Sequence, residues 1–188
     1  AHSTFSSALD QLQQASAGNN ALSAQLSELL ALEERYFSEA HVAMGNYRTQ
    51  LLAQEERLQS SRRFQQLHNE LNTRMKEYVE DQDSISVKMI AKNYFIKLRL
   101  TETITSDALA TDDITVIDKA VKSNKRSVNH LGNAYRSLTS LIPELKAKFD
   151  KPIEQYTLDI GKPGGVLDVH YRYIDARNRL YDNIATLA

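Results

Sequence analysis

Lys88, Lys92 and Arg99 stand four and seven residues apart, with Phe95 between the last two. At about 100° per residue, a helix sets all four in one narrow arc. A row of cations beside an apolar face can neutralise a carboxylate or a phosphate, and the planar fork of Arg99 can grip two oxygens at once. Long basic side chains also edge buried faces, with the stem on apolar neighbours and the charge in water. A second group is Lys122, Lys125, Arg126, Asn129, His130, Asn133 and Arg136. From Lys119 to Lys151 eight basic residues meet only Glu144 and Asp150. That local excess suits an anionic ligand, or an acidic helix such as the one bearing Glu33, Glu34 and Glu39. A third group is the run His170-Tyr171-Arg172-Tyr173. Arg172 and Asp175 are spaced for an i, i+3 ion pair, while Tyr171 and Arg172 together can contact an organic acid or an aromatic ligand. The candidate binding residues are therefore Lys88, Lys92, Arg99, Arg126, Arg136, Tyr171 and Arg172.

Other chemistries lack their residues. There is no Cys among the 188 residues, which removes disulfides, thiolate metal sites and Cys nucleophiles. Helical di-iron centres need Glu-x-x-His pairs, and the chain has none. His130 and His170 have no Cys-x-x-Cys-His context for haem. Gly161-Lys162-Pro163-Gly164-Gly165 lacks the strand and the Lys-Ser/Thr end of a phosphate loop and reads as a turn. Asp112-Asp113 suits helix capping better than catalysis. The chain is expected to be no enzyme and to hold no metal or cofactor. A formal charge of -1 gives no overall attraction to nucleic acid.

The elements that must position these groups are helices. Apolar positions recur with helical spacing, and no segment alternates long enough to form a strand. The expected fold is all-α: an elongated antiparallel four-helix-type bundle with a long first helix and extra short helices near residues 143–163. Phe5, Leu9, Leu12, Leu22, Leu26, Leu29, Tyr36, Ala40 and Tyr47 form the first stripe, interrupted by Ser16 and Asn19. Gly18 and Gly45 are each places for a bend. A second stripe runs Phe64, Leu67, Leu71, Met75 and Tyr78. The turn before it falls at Gly45-Asn46 or Ser60-Ser61, and the latter is preferred. Asp83 or Ser84 caps a third helix through Val87, Ile90, Ala91, Tyr94 and Leu98, which fades near Asp107. After the cap cluster at Ala110 to Asp113, the residues Ile117, Val121, Asn124, Val128, Leu131, Tyr135, Leu138 and Ile142 step 4-3-4-3-4-3-4. That is a bundle seam with Asn124 as its polar register position. Pro143 and Pro152 limit residues 144–160 to one or two short helices. Val169, Tyr173, Ala176, Leu180, Ile184 and Leu187 line the last helix.

The distribution of charge adds a location. Arg35 is the first of 23 Lys and Arg, where an even spread would place about four ahead of it. A segment following a membrane span on the outer side lacks basic residues over roughly 15 to 20 positions, because Lys and Arg hold a flank in the cytoplasm. No run of 18 apolar residues exists within the chain. Basic residues also stop at Arg179, on a helix that neither Gly nor Pro closes. Both ends are expected to meet the same bilayer.

Three features resemble the extracytoplasmic helical-bundle sensor domains of bacterial methyl-accepting chemotaxis receptors and related sensor kinases. They are the charge-poor first helix with Gln11, Gln13, Gln14, Ser16, Asn19 and Asn20, the open last helix, and the run Leu29-Leu30-Ala31-Leu32-Glu33-Glu34-Arg35-Tyr36-Phe37. That run is similar to the acid-aromatic stretch in the first helix of helical bimodular sensors. Those domains are usually longer, so residues 1–188 suit a single four-helix bundle, or two shortened modules sharing long helices. The resemblance implies a periplasmic domain of an inner-membrane protein, a homodimer, and a small ligand, an organic acid or other anion, read as a helix shift. The alternative is a soluble helical scaffold that shows its basic heptad helix to a protein partner.

Overall fold

The computed structural model describes residues 2–15 and 18–187, and these are helical nearly throughout. Ser16 and the side chain of Leu187, both counted in the stripes above, lie outside the described residues. The element order is α1 (His2–Ala15), α2 (Asn20–Glu80), α3 (Ile85–Leu109), α4 (Ile114–Leu141), α5 (Glu144–Gly161) and α6 (Val166–Leu187). The described residues form two compact units, one of residues 1–51 with 176–188 and one of residues 52–175. Only α2 and α6 contribute to both.

Of the expectations about the first 80 residues, one is met and one corrected. The chain leaves the helix at Gly18, one of the two expected places for a bend, and restarts after Asn19 as the long helix α2. Asn19 caps the restart: its Oδ1 accepts from the Leu22 N–H at 3.3 Å and its carbonyl from the Ser23 N–H at 2.9 Å. A side chain that satisfies an orphan N–H favours a new helix start. Conversely, there is no turn at Ser60-Ser61, and α2 runs through both Gly45 and the serines. Serine costs only a few tenths of a kcal/mol in a helix interior, and no Gly or Pro stands between Asn46 and Leu131. The flanking Leu, Glu, Gln and Arg residues are strong helix formers. Ser60 itself is buried.

The first unit draws on α1, the first part of α2 and the last part of α6. Leu9 and Leu26 are buried, and Ser6 donates to the buried Glu33 carboxylate at 2.7 Å. Asn46 and Asn183 tie α2 to α6. Most of the expected first stripe is not core: Phe5, Leu12, Leu22, Leu29, Tyr36 and Tyr47 are exposed. Ile184 on α6 is exposed as well.

The second unit holds the main core. Phe64, Leu71 and Met75 of α2 meet Tyr94 and Leu98 of α3, Leu131 and Leu138 of α4, Leu145, Phe149 and Tyr156 of α5, and Ile174 of α6. Helix α3 packs against α4, and α4 against α5. The caps follow from short polar side chains. Ser84 Oγ accepts from the Val87 N–H at the start of α3, which ends at Leu109, close to the expected limit. Asp113 Oδ1 accepts from the Thr115 N–H at 2.8 Å and the Thr115 hydroxyl at 2.7 Å. These bonds hold the Asp113 carboxyl below its ordinary value. The heptad positions of α4 point inward, with Asn124 fully buried and its Nδ2 donating to Thr105 Oγ1 at 3.0 Å. Helix α5 is a single helix that accommodates Pro152.

The turn between α5 and α6 needs its glycines. Gly164 has φ of 79°, the left-handed region that favours glycine. A Cβ at Gly165 would stand 2.3 Å from the Asp159 carbonyl oxygen. The turn therefore lies directly on the last turn of α5. Gly165 N–H donates to the Lys162 carbonyl at 2.9 Å, and Gly164 N–H to Asp168 Oδ2 at 2.8 Å.

Candidate functional site

All seven candidate binding residues lie in the second unit, but they do not form one site. Lys88, Lys92 and Arg99 share a depression of about 330 Å³ whose floor is Val79 of α2 with Ala91, Phe95 and Ile96 of α3. Helical spacing does the positioning. Val87, Ala91, Tyr94 and Leu98 fill the buried stripe of α3, so residues 88, 92 and 99 emerge at its edge. Among the described residues none of these three cations makes an ion pair. Three arginines elsewhere in the unit are neutralised: Arg63 by Asp159, Arg74 by Glu70 and Arg172 by Glu56. The depression thus presents like charges around an apolar floor, an arrangement that accepts a small anion with a hydrocarbon part.

The other candidates separate from this row. Arg126 and Arg136 stand on the exposed side of α4 with Lys122, Lys125, Asn129, His130 and Asn133. The Arg136 guanidinium is turned back on its own helix, bonding Asn133 Oδ1 and the Gly132 carbonyl. Arg172 corrects the expected pairing with Asp175. Its fork donates to both Glu56 carboxylate oxygens, at 2.9 and 3.1 Å, and its Nε lies 3.5 Å from Asp168. A carboxylate on a neighbouring helix takes both teeth of the fork, which an i, i+3 partner reaches less well. The bonds to Glu56 raise the Arg172 guanidinium further above its ordinary value. Tyr171 faces a separate cleft of about 400 Å³, with Ile117, Val121 and Lys125 of α4, Leu167 of α6, and Lys162 of the turn. Asp168, which the Arg172 Nε approaches, also lines this cleft, while the Arg172 fork itself is taken up by Glu56.

Buried and half-buried polar groups complete the picture, and of these the sequence singles out only His170. His170 is fully buried, and both its ring nitrogens are engaged. Nδ1 accepts from Arg57 Nε at 2.9 Å, since a guanidinium has only donors, so Nε2 carries the proton given to the Thr111 carbonyl at 2.8 Å. Arg57 also reaches the Leu109 carbonyl at 3.4 Å and lies 4.9 Å from the Tyr173 ring centre. One arginine thus links α2, α6 and the α3–α4 connection. His68 is half-buried, and its Nδ1 lies 3.3 Å from the Tyr156 hydroxyl. Burial pushes the His68 pKa down, outweighing the upward pull of Glu102. Burial also pushes the Tyr156 hydroxyl far above the ordinary phenol range, so a protonated phenol stands beside His68. Nothing in the primary sequence marks Arg57, His68 or Asp159 beyond their lying on helical faces.

Among the described residues no group of three His, Asp or Glu side chains could hold a metal ion, and no helix is long and apolar enough to cross a membrane. Comparison with protein-family models, with curated proteins and with solved structures finds no match.

Proposed function

We propose that the chain is an extracytoplasmic ligand-sensing module of a bacterial transmembrane signalling protein, of the chemoreceptor or sensor-kinase kind, and that it binds a small anion at Lys88, Lys92 and Arg99. The observation that carries the reading is the row itself: three cations that, among the described residues, have no carboxylate partner, around an apolar patch of Val79, Ala91, Phe95 and Ile96. An anion held there contacts both α3 and the end of α2. Helix α2 contributes to both units, so a ligand that prefers one position of α2 has a covalent route into the first unit. Coupling between sites is typically about 1–3 kcal/mol, enough to bias a two-state helix arrangement. The reading includes a homodimer. Exposed Leu22, Leu29 and Tyr36 recur every seven residues along α2, the repeat that seats a second helix.

A thermal-shift screen of dicarboxylates and nitrogen oxyanions tests the site. A ligand at about 100 times its dissociation constant adds about 2.7 kcal/mol of stability. The Lys92→Ala/Arg99→Ala variant is expected to lose that gain without unfolding. If every hit persists in this variant, the row is not the site. The transmembrane part requires an apolar helix on each side of residues 1–188 in the full-length protein, and a gene encoding neither overturns it. The exposed basic side of α4 favours the competing scaffold reading. Capture of an acidic helical peptide that fails in Arg126→Glu/Arg136→Glu would decide for it.

A further inference from the structure

Helix α3 carries two apolar stripes on opposite sides. Val87, Ala91, Tyr94 and Leu98 are buried in the core. Ile85, Met89, Ile96 and Leu100 fall within an arc of about 60° directly across the helix, and all four are exposed, Ile85 at 77% and Met89 at 70%. Large apolar side chains aligned and exposed in this way mark an interaction surface, unlike single ones scattered over a protein. Lys88 and Arg99 border one edge of the stripe, eleven residues apart. A second exposed stripe lies on the first part of α2, where Leu22, Leu29, Leu32 and Tyr36 fall within about 80°. Glu28 and Glu39 border its edge, and they too stand eleven residues apart. None of the ion pairs among the described residues includes any of these four charges.

We propose that the two stripes recognise each other between two copies of the chain, residues 22–39 of α2 in one copy lying antiparallel on α3 of the other. The inference rests on the homodimer reading above and names the helix that the exposed face of α2 meets. The stripes match in length, each about 21–22 Å at 1.5 Å per residue. Their direction follows from where the charges stand. Viewed from the N-terminus of each helix, both charged rows lie about 70° to the same side of the apolar stripe. Parallel helices would place such rows on opposite edges of the contact, whereas antiparallel helices bring them to one edge. Glu28 then meets Arg99, Glu39 meets Lys88, and Leu29 and Leu32 lie on Leu100 and Ile96. Charge pairs flanking an apolar seam set partner choice and orientation between helices. Two α3 helices laid antiparallel would instead oppose cation to cation, and two α2 segments acid to acid.

Sedimentation equilibrium of the full chain and of two charge reversals tests the contact, with circular dichroism to check that each variant keeps its helices. Glu28→Lys/Glu39→Lys and Lys88→Glu/Arg99→Glu are each expected to raise the dissociation constant of the dimer at least about tenfold, because like charges then face each other. An equimolar mixture of the two variants is expected to associate again, since every α2 in a mixed dimer meets an α3 of opposite charge. Glu34→Lys, on the far side of α2 from the stripe, should change nothing. Glu28→Lys/Glu39→Lys leaves Lys88, Lys92 and Arg99 intact, which keeps loss of the contact separable from loss of anion binding. A dimer untouched by either reversal, or a mixture that stays monomeric, overturns the proposal and leaves the homodimer reading standing. A native chain that is monomeric at millimolar concentration overturns both.

Discussion

The bond between Arg57 and His170 is expected to be a principal polar tie of the second unit, and a double-mutant cycle measures it. His170→Phe keeps a planar ring in a fully buried position but removes the acceptor for Arg57 Nε and the donor for the Thr111 carbonyl. Arg57→Met keeps most of the aliphatic stem and removes the charge. A hydrogen bond to a charged group contributes about 1.5–3 kcal/mol, and orphaning a buried partner costs about 1–3 kcal/mol. Arg57 and Thr111 are only half-buried, so water recovers part of each loss. The Arg57 guanidinium also keeps its contacts with the Leu109 carbonyl and the Tyr173 ring. His170→Phe is therefore expected to cost about 1–3 kcal/mol, with a coupling energy of about 1–2 kcal/mol to Arg57→Met. Urea unfolding followed by circular dichroism supplies the four stabilities, read from midpoints at unchanged slope. In a chain of this size each kcal/mol moves the melting temperature by about 2–4 °C. A coupling energy below about 0.3 kcal/mol would refute the reasoning, since it would mean that water replaces the bond at no cost.

Three more outcomes follow from buried or crowded groups. The folded His68 pKa lies below its unfolded value of 6.5, so the unfolded chain binds the proton more readily. Stability contributed by neutral His68 is full above pH 6.5 and declines as pH falls through the lowered folded value, and His68→Gln should flatten that part of a stability-pH curve. Gly165→Ala should destabilise by about 2 kcal/mol or more in thermal unfolding, because its Cβ would meet the Asp159 carbonyl at 2.3 Å and backbone has to move. At Asn124, Nδ2 is bonded but the buried Oδ1 has no partner among the described residues. Asn124→Leu should then change stability by less than about 1 kcal/mol, whereas Asn124→Ala loses about 1–3 kcal/mol to the cavity and the lost bond, and equal losses in chemical unfolding would sink this account.

Legibility differed along the chain for physical reasons. The seam of α4 was readable because its eight positions keep one period and five of the apolar ones are fully packed. The Ser84 and Asp113 caps were readable because capping is a contact between residues two or three apart. The first 80 residues misled because Ser60-Ser61 resembles a turn only in composition, while helix continuity there depends on the neighbouring helix formers. Exposed Leu22, Leu29 and Tyr36 have the same spacing as core residues, and periodicity does not say whether a face finds a partner within its own chain.

Composition and spacing determined the all-helical class, the polar register position Asn124 and the alignment of Lys88, Lys92 and Arg99, since each follows from 3.6-residue geometry along a single helix. Tertiary structure decided which charges are already spent. Arg172 goes to Glu56, 116 residues away, and Arg63 to Asp159, 96 residues away. It also decided that one oxygen of a buried carboxylate is left without a donor. Such pairings depend on which helix faces which across the core, and that choice is made by the packing of many side chains together rather than by the period of any one segment.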